Sequence, residues 1–180
     1  MQKPIYLVIT ELFPTSDSFR GPYVYDQVRA IEKDGRYEVV VLRPTSWLNK
    51  EKNYEYNGVK VYRFTHYDLP SDMWPGSNTW LSLRAMDKCL KYLGIAYNDI
   101  AVVHAHVLNN ARFANHVKCQ NAECLTVLQH HGYDVLGLSL GRFSTKEWHR
   151  KRALRYGVRE CNKIDLHVGV SKEILRYLEN

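Results

Sequence analysis

Apolar residues along this chain fall into short continuous runs and stripes at helical spacing, and the two kinds alternate. The runs Ile5-Tyr6-Leu7-Val8-Ile9, Glu38-Val39-Val40-Val41-Leu42, Asp99-Ile100-Ala101-Val102-Val103 and Leu125-Thr126-Val127-Leu128 predict strands buried on both faces, as in a parallel sheet. Leu166, Val168 and Val170 alternate and predict one more strand. Between the runs lie helical stripes: Val24, Val28 and Ile31; Leu83, Met86, Leu90 and Leu93; Phe113, Ala114 and Val117; and Leu154, Val158 and Cys161. Each stripe is expected to face the core.

Local signals mark the ends of these elements. Pro22 suits a first helical turn, and Gly35 and Gly94 stand where helices stop. Asn78 or Thr79, Ser144 paired with Glu147, and Ser171 are placed to cap helices. Asn57-Gly58, between Tyr54-Glu55-Tyr56 and Val59 to Phe64, predicts a hairpin. The stretch from His66 to Asn78 is rich in turn formers, and its Trp74 is read as packing over the core edge rather than lining a binding surface. Strand and helix in alternation predict an α/β fold: a doubly wound, mostly parallel Rossmann-like sheet with helices on both faces. Residues 1–180 read as a single domain, with no repeat or linker.

Composition narrows the class without naming an activity. With 180 residues, 45% hydrophobic and 24% charged, the chain has the make-up of a globular domain with a real core. A net charge of +6 leaves two readings open, an anionic partner or a solvated basic surface. Cys89, Cys119, Cys124 and Cys161 form no C-x-x-C pair and no compact disulfide framework. A reducing cytoplasmic setting is therefore expected, with no signal peptide and no apolar run long enough to span a bilayer.

Candidate chemistry gathers where strands end. In an open α/β sheet, ligands bind beyond the carboxyl ends of the strands at the switch in strand order. Expected strand neighbours put Arg20 and Gly21 beside His104 and His106, with His131 one strand further and Ser171 nearby. Gly21 either allows close backbone approach ahead of a helix N-terminus or serves only as a turn residue, since there is no G-x-G-x-x-G and no G-K-[ST]. His104 reads as a structural histidine, whereas His106 lies nearer the strand end. His131, followed by Gly132, is the strongest catalytic candidate, since imidazole can donate to or accept from a hydroxyl near neutral pH. Asp134 has two readings: orienting that ring or holding a substrate hydroxyl, and accepting backbone N–H groups in the turn.

The ordered set of motifs resembles the N-terminal domain of GT-B fold glycosyltransferases, specifically glycosyltransferase family 4. It comprises Phe13-Pro14; Gly21-Pro22-Tyr23-Val24 with Gln27; Tyr37 to Leu42 with Pro44; and Asn57-Gly58 to Arg63. It continues with Asp99 to His106, resembling D-h-h-h-H-x-H; His131-Gly132-Tyr133-Asp134, resembling H-G-x-D; and Asp165 to Ser171. The resemblance implies a retaining, two-domain enzyme that moves a sugar from a nucleotide-diphosphate sugar to an acceptor. The N-terminal domain would bind a sugar or lipid-linked acceptor; a C-terminal domain would bind the donor. His131 matches the active-site histidine near the transferred sugar, and Gly21 the loop approaching the donor diphosphate and acceptor. His106 and Asp134 match secondary pocket residues, and Arg20 joins them as a substrate-binding candidate.

No cofactor or metal is required on this reading, and nucleic acid is not an expected partner. Gly21-Pro22 departs from the glycine pair common in the family. The donor domain is absent from these 180 residues, so a fragment inactive by itself is expected. Cell-surface polysaccharide or glycolipid synthesis is the implied setting, with specificity partly in the Met73–Trp80 and Leu136–Phe143 loops. The basic Lys146–Arg159 helix, carrying Trp148, resembles membrane-facing surfaces in such enzymes, although its apolar stripe is expected to face the sheet. Two other classes stay open: a metal-dependent hydrolase using His104, His106, His131 and Asp134, and a non-catalytic anion-binding module.

Overall fold

Strand β1 (Ile5–Ile9) lies at the centre of a seven-stranded sheet in the computed structural model of the chain. The structure describes residues 3–49, 51–67, 76–132, 134 and 147–179. Trp74, Tyr133, the 135–143 loop, Ser144 of the expected capping box and Lys146 lie outside the described residues. After β1 come α1 (Pro22–Asp34), β2 (Glu38–Ser46), β3 (Tyr54–Tyr56), β4 (Val59–His66) and α2 (Thr79–Tyr92). They are followed by β5 (Ile100–His106), α3 (Ala111–Gln120), β6 (Leu125–His130), α4 (Glu147–Cys161), β7 (Leu166–Gly169) and α5 (Lys172–Glu179).

The strand order is β3-β4-β2-β1-β5-β6-β7. All neighbouring pairs are parallel except the β3–β4 hairpin, which turns at Asn57-Gly58. The order reverses at β1, and β1 pairs with β5 as expected. On one face, Val24 and Val28 of α1 pack with Val8, Val41 and Val61. On the other, Met86 and Leu90 of α2 and Phe113 and Val117 of α3 cover Leu7, Ile9, Val103 and Leu128. Apolar side chains alternate between the two faces of β1 and β2, so both helical layers bury sheet surface.

Three details differ from the sequence reading. β2 runs through Pro44 to Ser46 instead of closing at Leu42. Leu42 turns its carbonyl toward β1, where Thr10 N–H donates to it, so position 44 turns the same edge toward a strand that has already ended. A missing N–H costs nothing there, and β2 continues against β4 alone. At α2, Asn78 and Thr79 stand at the start but do not cap it through their side chains. Asn78 Nδ2 donates to the Tyr67 carbonyl and Thr79 Oγ1 to the Gly76 carbonyl.

The third difference corrects the reading of α4. Leu154 and Val158 are about half exposed rather than in the core, while Gly157 and Glu160 turn inward. Asn115 of α3 donates to both the carbonyl and the carboxylate of Glu160, at 3.0 and 2.9 Å. That buried polar pair fixes the helix rotation, because an unpartnered carboxylate there would be far costlier than two exposed aliphatic side chains.

Candidate functional site

The α1 face of β5 and β6 breaks the apolar rule of a central parallel strand. His104 and His106 stand two apart on β5, and Gln129 follows in register with His106. His131 comes directly after β6, two residues beyond Gln129, and turns toward the same side. Tyr6 closes the row from β1, its hydroxyl 3.0 Å from His104 Nδ1. The result is an ordered column of rings. His104 and His106 stack with centroids 4.5 Å apart, and His106 and His131 lie nearly parallel at 5.3 Å. His106 Nδ1 and His131 Nε2 are 3.0 Å apart, so one of the two carries the proton of a direct hydrogen bond.

Helix α1 supplies the outer wall. Tyr23 and Gln27 are one helical turn apart and meet His131, just beyond β6, and Gln129, on β6, which are two residues apart. The Tyr23 ring lies 4.9 Å from the His131 ring, and Gln27 Nε2 donates to Gln129 Oε1 at 3.0 Å. These contacts bring the α1 start against His131.

Gly21 makes that placement possible. It is the N-cap of α1 at φ +73°, and a Cβ added there would sit 2.2 Å from the Leu12 carbonyl oxygen. The close approach requiring glycine is thus internal, between the helix start and the preceding loop.

Burial sets the protonation of the column. It is the largest effect on His104, outweighing the opposing influence of the nearby Gln129 side chain and, with His131, pushing the pKa down to about 4. His106 is held well below its ordinary value by burial and then by the neighbouring histidines. His131 is also lowered, chiefly by burial, with His130 adding to the effect and Asp134 opposing it. The rings are therefore neutral at pH 7 and act as hydrogen-bonding groups rather than cations. His131 has one nitrogen engaged by His106, and its Nδ1 has no partner among the described residues.

Asp134 takes the turn-holding role. One carboxylate oxygen accepts from the Leu108 N–H and faces His130 Nδ1, each at 3.1 Å, and the other accepts from the His131 N–H. Burial raises its pKa, but His130 and the backbone donors outweigh this and hold it below the ordinary value. It positions the backbone of His131 and faces the ring of His130, not that of His131. The segment it grips is itself strained: Val107, buried, sits at φ +62°, a conformation that costs a β-branched residue on the order of 1–3 kcal/mol.

Arg20 lines a cavity of about 580 Å³ together with Glu11, Arg43, Ser46, Glu51 and His66. This hollow lies at the carboxyl ends of β1, β2 and β4, on the same sheet edge as the histidine column. Ser171 caps α5, its Oγ accepting from the Ile174 N–H at 3.3 Å. Gly21, through Tyr23, joins His106 and His131; Arg20 serves the neighbouring hollow, and Asp134 stands behind.

Among the described residues, His104, His106, His131 and Asp134 do not bring ligand atoms together as a metal set. The group that does is His130, Cys161 and His167. Consecutive residues of an extended chain face opposite ways, so His130 turns from His131 toward α4 and β7.

The sequence reading did not single out Tyr23, Gln129, His167 or Cys161 as site residues. Tyr23 and Gln27, four apart after Gly-Pro, are a visible signal for Tyr23; Gln129 is marked only by being a polar residue in an apolar strand. For the second pair, only the fold brings the residues together.

No family model matches this sequence, and no curated protein matches it. Among solved structures, sucrose-phosphate synthase from Thermosynechococcus elongatus is similar, with a TM-score of 0.67 and 14% sequence identity. The match covers 99% of this chain and 45% of that one, so the chain spans less than half the length of that structure. At that identity the likeness is one of fold, and the fold is that of a Rossmann-like GT-B domain.

Proposed function

We propose that this chain is the acceptor-binding Rossmann-like half of a retaining glycosyltransferase that uses a nucleotide-sugar donor. The observation carrying the reading is the neutral His131 at the carboxyl edge of β6, held by His106 and walled by Tyr23 at the start of α1. An acceptor would lie along this edge, with Arg20 and its hollow contacting the more distant part. His131 Nδ1 would position a hydroxyl of the transferred sugar or the acceptor by hydrogen bonding. A second domain would bind the donor and neutralise the leaving diphosphate through cationic groups and helix N-termini. The fold likeness to a sugar-transferring enzyme supports the class of reaction. Family 4 membership, a sugar or lipid-linked acceptor, and a place in cell-surface polysaccharide or glycolipid synthesis belong to the proposal.

The experiment is transfer of radiolabelled sugar from a panel of nucleotide sugars by the chain combined with a donor-binding half, scored with and without His131→Ala. Transfer that needs His131 supports the reading. Full activity of the variant removes His131 from the reaction.

Peripheral contact with the cytoplasmic membrane face is a second part of the proposal. No described helix is long and apolar enough to cross a membrane. On α4, however, Trp148, Leu154 and Val158 are exposed beside Lys151, Arg155 and Arg159. Apolar and basic side chains on one outward surface suit an anionic lipid interface.

A further inference from the structure

Behind the His131 site, on the opposite face of β6, four groups form a chain: Asp134, His130, His167 and the Cys161 carbonyl. His130 Nδ1 faces an Asp134 carboxylate oxygen at 3.1 Å, and His130 Nε2 faces His167 Nδ1 at 3.1 Å. His167 Nε2 faces the Cys161 carbonyl oxygen at 3.2 Å. The two outer partners can only accept, so each requires a ring N–H. Two neutral imidazoles carry one N–H each, and both are used outward. The inner nitrogens, His130 Nε2 and His167 Nδ1, are left presenting lone pairs to each other. A cation between them, either an added proton or a metal ion, would satisfy both.

We propose that the cation is a transition-metal ion of the zinc class, bound by His130 Nε2, His167 Nδ1 and Cys161 Sγ. Two observations favour a metal over a proton. The donor atoms of these residues all lie within 4.8 Å of one another, and a thiol sulfur would have no part in holding a lone proton. The 3.1 Å between the two nitrogens suits a shared proton and is also near the roughly 3.3 Å that separates two nitrogens bound tetrahedrally to zinc, so it admits either cation. Each histidine already gives its outer N–H to a carboxylate or a carbonyl, the arrangement that orients imidazole ligands and makes them more basic.

The charge balances as well. Binding a divalent ion displaces the shared proton and the Cys161 thiol proton, releasing two protons. A divalent ion with one thiolate carries the same single positive charge as the imidazolium with a thiol. Asp134 offsets it in either state. Because the ligands come from β6, α4 and β7, the ion ties the last crossover to the strand that carries His131. This site is independent of the glycosyl-transfer reading.

The test is cobalt(II) and zinc(II) titration of the full chain, made without a histidine tag and stripped with chelator. One equivalent of cobalt should bind with a thiolate-to-metal charge-transfer band. Cys161→Ser should abolish that band, His167→Ala should weaken binding at least about tenfold, and His131→Ala should leave both unchanged. Zinc should raise the melting temperature of wild-type protein but not of Cys161→Ser, which differs by one atom and guards against misfolding of the alanine variant. Absence of stoichiometric binding, or binding that survives both Cys161→Ser and His167→Ala, overturns the proposal and leaves a proton as the bridging cation.

Discussion

His131 Nε2 lies 3.0 Å from His106 Nδ1, so the ring at the edge of the site is oriented by a second histidine rather than by a carboxylate. The consequence for activity is direct. In protein able to transfer sugar, His131→Ala should lower kcat by roughly 10²- to 10³-fold, the loss typical when one positioned hydrogen-bonding group is removed. His106→Ala should act through His131 and cost less, with the double variant no worse than His131→Ala alone. Additive losses, measured by kcat in a double-mutant cycle, would show that the two rings act separately.

Gly21→Ala tests the packing that brings α1 to the site. The added methyl would meet the Leu12 carbonyl oxygen at 2.2 Å in a left-handed backbone conformation. Destabilisation of about 2 kcal/mol or more is expected, read by urea denaturation. Gly35→Ala is the control. Its φ is also positive, but its Cβ would meet nothing within 4 Å, so only the backbone penalty of about 1 kcal/mol should appear.

Stability should fall in mild acid. His104 has a folded pKa near 4 against an ordinary 6.5, and His106 is depressed as well. Between those values the unfolded chain binds more protons than the folded one, so stability rises with pH. The contribution is complete above pH ~6.5 and is lost as pH falls toward 4, by up to about 1.4 kcal/mol per pH unit for each histidine. Melting temperatures from pH 7 to 5 should decline, and His104→Gln should flatten the decline. An equal slope in that variant would assign the acid sensitivity elsewhere.

The outward face of α4 makes a prediction about membranes. Co-sedimentation with vesicles containing anionic lipid should be salt-sensitive and should weaken in Leu154→Ser/Val158→Ser, with neutral vesicles bound poorly. Because both side chains are about half exposed, the substitutions should leave the melting temperature nearly unchanged. Vesicle binding identical to wild type would mean that this face does not meet lipid.

The sequence by itself determined the layered α/β fold, the hairpin, the central place of β1 and the sheet edge where His106 and His131 gather. Those features follow from local signals: runs such as Ile5–Ile9, the Asn57-Gly58 turn, Gly35 ending a helix, and the two-residue spacing of His104 and His106. Only the tertiary structure decided which faces meet. Leu154 and Val158 read as core because helical spacing identifies a stripe but not the rotation of the helix, and the buried Asn115–Glu160 pair sets that rotation. Gly21 reads in the sequence either as a glycine that lets the backbone approach a ligand or as a turn residue, because φ/ψ freedom is local, while its close approach to Leu12 nine residues earlier appears only in the structure. His130 and His131, adjacent in the sequence, divide to opposite faces of the sheet at the end of β6. Adjacent residues of an extended chain face opposite sides, and only the packing of α1 on one face and α4 on the other gives each histidine its partners.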